Sequence, residues 1–218
     1  MTQKRMCFLV LLRKQIPIIC AILLMYLAVT YADNPQMRTQ AVSPIPRILI
    51  AYSSPQGHTK KMAEAIANGA HSAGVVEITI EDVNKVNISD ISRVDAIIVG
   101  GPVYNANIAP EIQLFINKWP LKNGSMRDKI GAAFVSAGGM SSGEELAQLS
   151  ILHSMLIFGM IVIGGDSWRS AFGASAIISE STSPPPISSD AINEYYLKKA
   201  EALGRRVAKL AIQRARCF

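Results

Sequence analysis

The stretch Arg47-Ile-Leu-Ile-Ala-Tyr52, Ser53-Ser-Pro-Gln-Gly-His-Thr59, Lys60-Lys-Met-Ala-Glu-Ala-Ile-Ala-Asn-Gly69 decides the fold. Its first part is an apolar run too short for a helix and bounded by turn residues, the pattern of a strand covered on both faces. In its last part Met62, Ala63, Ile66, Ala67 and Ala70 form one stripe at helical spacing, and Gly74 marks a C-terminal stop. A buried strand passing through a short Ser/Gly turn into an amphipathic helix opens a crossover in a parallel sheet.

The same alternation continues along the chain. Strands are predicted over Arg47–Tyr52, Val75–Glu81, Val94–Gly100, Lys129–Ser136 and Met160–Gly164. Helices are predicted over Thr59–Ala73, Pro110–Trp119, Gly143–Phe158 and Asp190–Arg214, the last with Ile192, Tyr196, Leu203, Val207 and Leu210 at helical spacing. Between the second and third strands only Ser89-Asp-Ile-Ser92 has a weak helical pattern, so that connection is expected to be short or irregular. Five strands with right-handed crossovers give an open, doubly wound α/β sheet. A chain of 218 residues suits one such core.

The ends differ in character from this core. Lys4, Arg5, Arg13 and Lys14 precede Ile16–Val29, an uncharged stretch, which is followed by Thr30-Tyr-Ala32. This is the layout of a secretory signal cleaved after Ala32. The competing reading is an uncleaved anchor, although a bilayer crossing takes about 20 apolar residues. The expected organisation is therefore a signal over residues 1–32, a Pro-rich linker over 33–46 and a domain over 47–218, exported to the periplasm or beyond the cell. The formal charge is +6, but without those four basic residues 18 Lys+Arg face 16 Asp+Glu, which gives no nucleic-acid surface. Cys7 and Cys20 would leave with the signal, and Cys217 alone cannot form an internal disulfide. Ser181–Ile187 is a Ser/Pro low-complexity patch.

Ligands of an open parallel sheet bind beyond the carboxyl ends of its strands. Three loops occupy such positions: Ser53–Thr59, Gly100–Pro110 and Ala137–Gly143. In the first, Ser53, Ser54 and Thr59 offer hydroxyls, Gly57 lets the backbone come close, and the following helix presents free N–H groups to an anion. An ordinary Ser/Thr helix cap has the same appearance, so for this loop alone both readings stand. No nucleoside-triphosphatase loop and no Gly-x-Gly-x-x-Gly fingerprint follows the first strand, which favours a mononucleotide. In the second loop Gly100 and Gly101 are expected to free the backbone beside a flat ring, with Tyr104 offering a π-face and Asn105 an amide. The third, Ser136-Ala-Gly-Gly-Met-Ser-Ser-Gly143, supplies flexible backbone and N–H donors.

Ser54-Pro-Gln-Gly-His-Thr59 after a strand resembles the flavodoxin-type loop that wraps the phosphate of FMN. Its Ser-x-x-Gly-His form is most similar to the tryptophan-repressor-binding-protein type of NAD(P)H:quinone oxidoreductase. Pro102-Val-Tyr-Asn105 resembles both that group and the NADPH-dependent FMN reductases, and Phe172-Gly-Ala-Ser-Ala-Ile-Ile178 with Ala200, Gly204 and Val207-Ala208 extends the likeness to about Ile212.

The resemblance implies a flavodoxin-like three-layer sandwich with a five-stranded parallel sheet in the order 2-1-3-4-5. It implies FMN held by Ser54, Pro55, Gln56, Gly57, His58 and Thr59, by Pro102, Val103, Tyr104 and Asn105, and by Ser136, Ala137, Gly138, Gly139, Met140 and Ser141. It further implies NAD(P)H as donor, a quinone as acceptor, a homo-oligomer (dimer or tetramer), and no catalytic acid or base of the protein's own, because the cofactor carries the chemistry. Export would call for a membrane quinol or a redox protein as donor instead. Gln56 stands where relatives often have Thr or Tyr, Phe158 stands where they commonly have a His near the flavin, and Pro120–Arg127 is shorter than theirs. Two other readings remain open: an electron-carrying flavodoxin, and a flavodoxin-fold protein that has lost its flavin.

Other notable residues have structural readings. Ile112, Phe115, Ile116 and Trp119 share helical spacing and belong to a core. His153 lies in an apolar helix as a structural residue, Glu144 and Glu145 favour a helix dipole, and the Trp168-Arg169 pair could border the flavin or an interface. No metal-ligand cluster and no Ser/His/Asp set has suitable spacing.

Overall fold

The computed structural model describes residues 45–121, 124–178 and 192–217. The predicted signal, all of the linker but its last two residues, the Ser181–Ile187 patch and the expected helix start at Asp190 lie outside them.

Among the described residues the strands are β1 (Arg47–Tyr52), β2 (Glu77–Asp82), β3 (Ala96–Tyr104), β4 (Asn107–Ile108), β5 (Ile130–Ala137), β6 (Ile161–Val162) and β7 (Ala174–Ile177). The helices are α1 (His58–His71), α2 (Pro110–Asn117), α3 (Glu144–Ile157) and α4 (Glu194–Ala215). The order across the sheet is β2-β1-β3-β5-β6, with β7 also beside β5 and β4 folded back on β3. The fold class and parallel order are as expected from the sequence, but the sheet has seven strands rather than five.

The two extra strands have separate causes. The edge position is split: β6 pairs Ile161 and Val162 with Ile130 and Gly131, the chain leaves at Gly164-Gly165, and β7 rejoins with Ala174 opposite Phe134. The predicted strand Met160–Gly164 is therefore only its first part. β4 arises because β3 runs past Gly100 and turns at Asn105-Ala106, both at positive φ (50° and 62°), pairing Val103 with Ile108. Two left-handed residues in a row make the hairpin turn whose twist matches its strands.

Strand alternation sorts the core onto two faces. Ile48 and Ile50, Ala96 and Ile98, and Ala132 and Phe134 meet α1 and α4, whereas Leu49 and Ala51, Ile97 and Val99, and Ala133 and Val135 meet α2 and α3. The α1 stripe buries Met62 and Ile66 completely, at roughly 1.5–3 kcal/mol for each side chain. Helices α1 and α4 touch backbone to backbone: a Cβ on Gly69 would stand 1.9 Å from the Glu201 carbonyl oxygen, and one on Gly204 would stand 1.9 Å from that of Ile66. Any larger residue at either glycine forces the helices apart.

The weak helical pattern before β3 becomes a 3₁₀ turn, Ile88–Arg93, with Asn87 accepting from the Ser89 N–H. Phe115 and Trp119 are buried and meet edge-on at 5.6 Å, as core residues. His153, in contrast, is exposed rather than part of the core.

Candidate functional site

The ends of β1, β3 and β5 lie side by side, with Tyr52 opposite Gly100 and Pro102 opposite Ser136, so the three loops share one edge of the sheet. The first loop is held by backbone bonds: the Ser53 N–H donates to the Gly100 carbonyl at 3.0 Å and the Gly57 N–H to that of Ser54 at 3.3 Å. Ser54 Oγ accepts from the Lys60 N–H at 3.0 Å. Gly57 stands at φ 85° before the helix with no side-chain cap, and no carboxylate lies in the first turn of α1. The N–H groups of His58 and Thr59 open the helix and have no intrahelical acceptor. His58 Nε2 is buried without a hydrogen-bond partner, and a Cβ on Gly57 would meet nothing within 4 Å.

Thr59 is buried, and its hydroxyl shares a 2.8 Å hydrogen bond with that of Ser136. This bond ties the start of α1 to the end of β5 across 77 residues of sequence. Pro55 and Gln56 are exposed at the loop tip. Behind the loop, burial first and then the Asp82 and Glu81 carboxylates push the Tyr52 hydroxyl above its ordinary pKa.

The second loop is the β3–β4 hairpin. Pro102 and Val103 lie within β3, Tyr104 is 43% exposed, and Asn105 occupies the turn, where its carbonyl accepts from Asn107 Nδ2 at 2.8 Å. The glycines before it have a packing reason of their own. A Cβ on Gly100 would meet the Phe134 ring at 2.5 Å and one on Gly101 would meet Ile112 at 2.8 Å, so both make room for core side chains.

In the third loop Ser136 and Ala137 are buried at the end of β5, and Gly138 and Met140 are exposed. Ser141 is left-handed at φ 58°, and its N–H donates to Glu144 Oε1 at 3.1 Å. Gly143, at φ 98°, sits against the hairpin tip, where a Cβ would lie 2.5 Å from Ala106 Cα. The second and third loops thus touch at a point that excludes any side chain. Ser142 Oγ and Glu144 Oε2 are buried without partners.

The sequence reading missed the Ala106–Gly143 contact, the hold of Glu144 on Ser141, and Lys199. The Lys199 ammonium donates to Ser175 Oγ at 3.2 Å. Burial lowers its pKa, while Glu144 and Glu145 at the start of α3 oppose that shift. The only available signal was the Gly-Glu-Glu string at Gly143. Phe158, placed near a flavin by resemblance, ends α3 at the opposite edge of the sheet and packs on Trp119 at 5.4 Å. Trp168 and Arg169 belong to the excursion between β6 and β7 and to none of the three loops. Hollows of ≈ 280 Å³ and ≈ 490 Å³ open beside Arg127 and Arg214 and beside Arg47 and Thr79, and neither reaches the loops. No cluster of three or more His, Cys, Asp or Glu suited to a metal occurs among the described residues.

Residues 49–145 match the family model of the flavodoxin domain. A protein of Azorhizobium caulinodans named NAD(P)H dehydrogenase (quinone) is 33% identical over 141 residues, covering 54% of this chain and 70% of its own. One of the same name from Methylocella silvestris is 29% identical over 201 residues, 76% of this chain and 96% of its own. The crystal structure of a WrbA-like flavodoxin from Agrobacterium tumefaciens superimposes with a TM-score of 0.62 at 20% identity, over 77% of this chain and 98% of that one, which shows a shared fold. The chain therefore belongs to the flavodoxin-like family that includes the proteins named NAD(P)H dehydrogenase (quinone).

Proposed function

We propose that this chain is an FMN-dependent oxidoreductase of the NAD(P)H:quinone reductase type. The observation that carries the reading is the first loop, where the helix-opening N–H groups of His58 and Thr59, the Ser54 hydroxyl, an unpartnered buried His58 nitrogen and open space over Gly57 occur within one loop and helix start, with no carboxylate in the first turn. That donor set fits a phosphate monoester. The relatives' names support a pyridine nucleotide as donor and a quinone as acceptor.

In this reading Ser54, Pro55, Gln56, Gly57, His58 and Thr59 hold the phosphate. Pro102, Val103, Tyr104 and Asn105 border one side of the ring system, and Ser136, Ala137, Gly138, Gly139, Met140 and Ser141 border the other. FMN bound there supplies the two-electron chemistry. The Thr59–Ser136 bond sets the spacing between the phosphate loop and the third loop, and the Ala106–Gly143 contact fixes the hairpin against that loop. The backbone N–H groups of Gly138, which is exposed, and of Gly139, which is half-buried, would oppose negative charge at the ring's polar edge. The reading includes a homo-oligomer and a cleaved N-terminal signal ending at Ala32.

The test is anaerobic. The full chain, loaded with FMN, is expected to lose its yellow colour on addition of NADH or NADPH and regain it with a benzoquinone. Bound flavin that neither nucleotide bleaches would make the chain an electron carrier, and failure to take up FMN at all would remove both redox readings.

A further inference from the structure

The excursion between β6 and β7 carries Trp168, 81% exposed, on a short 3₁₀ turn. The lobe is firmly built. The Gly165 N–H donates to the Ser170 carbonyl at 2.7 Å, the Ser170 N–H to that of Ser167 at 3.0 Å and the Gly173 N–H to that of Ser170 at 3.0 Å. The Arg206 guanidinium donates to the carbonyls of Gly164 and Gly165, fastening the lobe to α4. A Cβ on Gly164 would lie 1.7 Å from the Ala171 carbonyl oxygen, so the chain cannot relax there. Burying an indole would stabilise the fold, yet this one is held outward with the Arg169 guanidinium 5.2 Å from its ring centre.

Beside the lobe runs a row of cations. Arg206 and Lys209 are exposed along α4, Arg216 is exposed just past its end with Gln213 before it, and Arg205 is half-buried. After Glu201 the helix carries no acid. A groove of ≈ 390 Å³ lined by Arg205, Arg206, Lys209 and Asp166 joins lobe and helix. None of these cations has an ion pair among the described residues, whose pairs are Arg47–Glu77, Arg93–Asp90 and Lys198–Glu194. From Arg206 to Arg216 the row spans about 15 Å of helix.

We propose that this face, Trp168 with Arg205, Arg206, Lys209 and Arg216, docks on an anionic phospholipid surface. A rigid indole presented outward matches the interfacial region, where an aromatic ring with one polar N–H is favoured. Arg206 is bound to backbone carbonyls and Arg205 to Ser72 Oγ at 3.0 Å, but no carboxylate among the described residues pairs with any of them, and cations spread in this way suit a diffuse sheet of phosphates better than a discrete acidic site. A polybasic patch joined to an exposed aromatic anchor supplies the two kinds of contact, electrostatic and interfacial, that together hold a protein to an anionic bilayer. The proposal does not rest on flavin binding.

The experiment uses the full chain with phosphatidylcholine vesicles, with and without phosphatidylglycerol, and reads co-sedimentation together with tryptophan emission. Trp119 is 4% exposed, so an emission change on adding vesicles reports Trp168. Sedimentation and a blue shift are expected only with phosphatidylglycerol, both weakened by salt. The pair Lys209→Gln with Arg216→Gln is expected to lower partitioning about thirtyfold, on the order of fivefold per cation. Trp168→Ala is expected to abolish the emission change and weaken binding without altering the far-UV spectrum. Unchanged partitioning of the double variant would overturn the proposal, as would sedimentation with no change in emission, which would assign all binding to the N-terminal stretch. Retention on a polyglutamate matrix without a phosphatidylglycerol-dependent shift would assign the face to an acidic protein and overturn it equally.

Discussion

Helices α1 and α3 begin at the same edge of the sheet, each behind a left-handed glycine, and they treat that beginning in opposite ways. Before α1, Gly57 faces open space, and the first turn holds Lys60 and Lys61 with no acid. Before α3, Gly143 is pressed against Ala106, and Glu144 and Glu145 fill the first turn, Glu144 taking the Ser141 N–H. One helix start is left open to an anion from outside, and the other carries its own carboxylates at the positive end of the helix dipole and serves as a joint between two loops. A glycine before a helix therefore identifies neither role. What faces the glycine and what charge follows it decide between them.

The largest expected effect breaks the joint. Gly143→Ala combines an unfavourable φ with a Cβ 2.5 Å from Ala106, and is expected to cost about 3 kcal/mol in urea unfolding. Thr59→Val leaves the buried Ser136 hydroxyl without its partner and is expected to cost roughly 1–3 kcal/mol, with weaker flavin retention. The same change made at the open helix, Gly57→Ala, meets only the backbone penalty, about 1 kcal/mol in the same assay. Equal losses at the two glycines would erase the contrast.

The smallest expected effect is electrostatic. The Lys199 pKa lies below the ordinary lysine value in the folded chain, so between the folded and unfolded values the unfolded chain holds more protons and stability rises with pH. Lys199→Met is expected to flatten that alkaline rise in pH-dependent unfolding. Lys129, lowered chiefly by burial, contributes equally to both proteins and drops out of the comparison.

The Arg47–Gly69 stretch was legible because an unbroken apolar run and a helical stripe follow from burial alone, and β1 and α1 fall within a residue or two of their expected bounds. The edge of the sheet was not. Ala174-Ser-Ala-Ile177 is a strand of small residues whose pairing comes from the backbone of β5, so it carries no hydrophobic signal, and the expected strand Met160–Gly164 runs past Val162, where the pairing stops. The packing role of Gly100 and Gly101 is invisible in the sequence because the bulk facing them, Phe134 and Ile112, is not adjacent to them in the chain. Within the site, the loops' adjacency followed from strand order. The Thr59–Ser136 and Ala106–Gly143 contacts depend on tertiary geometry that no local spacing encodes.

The central claim is that the open start of α1 holds a phosphate. FMN and riboflavin differ in that group, so titrating the full chain with each and following flavin fluorescence tests it directly. Several charge-assisted bonds to the phosphate predict FMN binding at least about 100-fold tighter than riboflavin, a gap that Ser54→Ala narrows. Equal affinity for the two flavins, or a gap unmoved by Ser54→Ala, would contradict it.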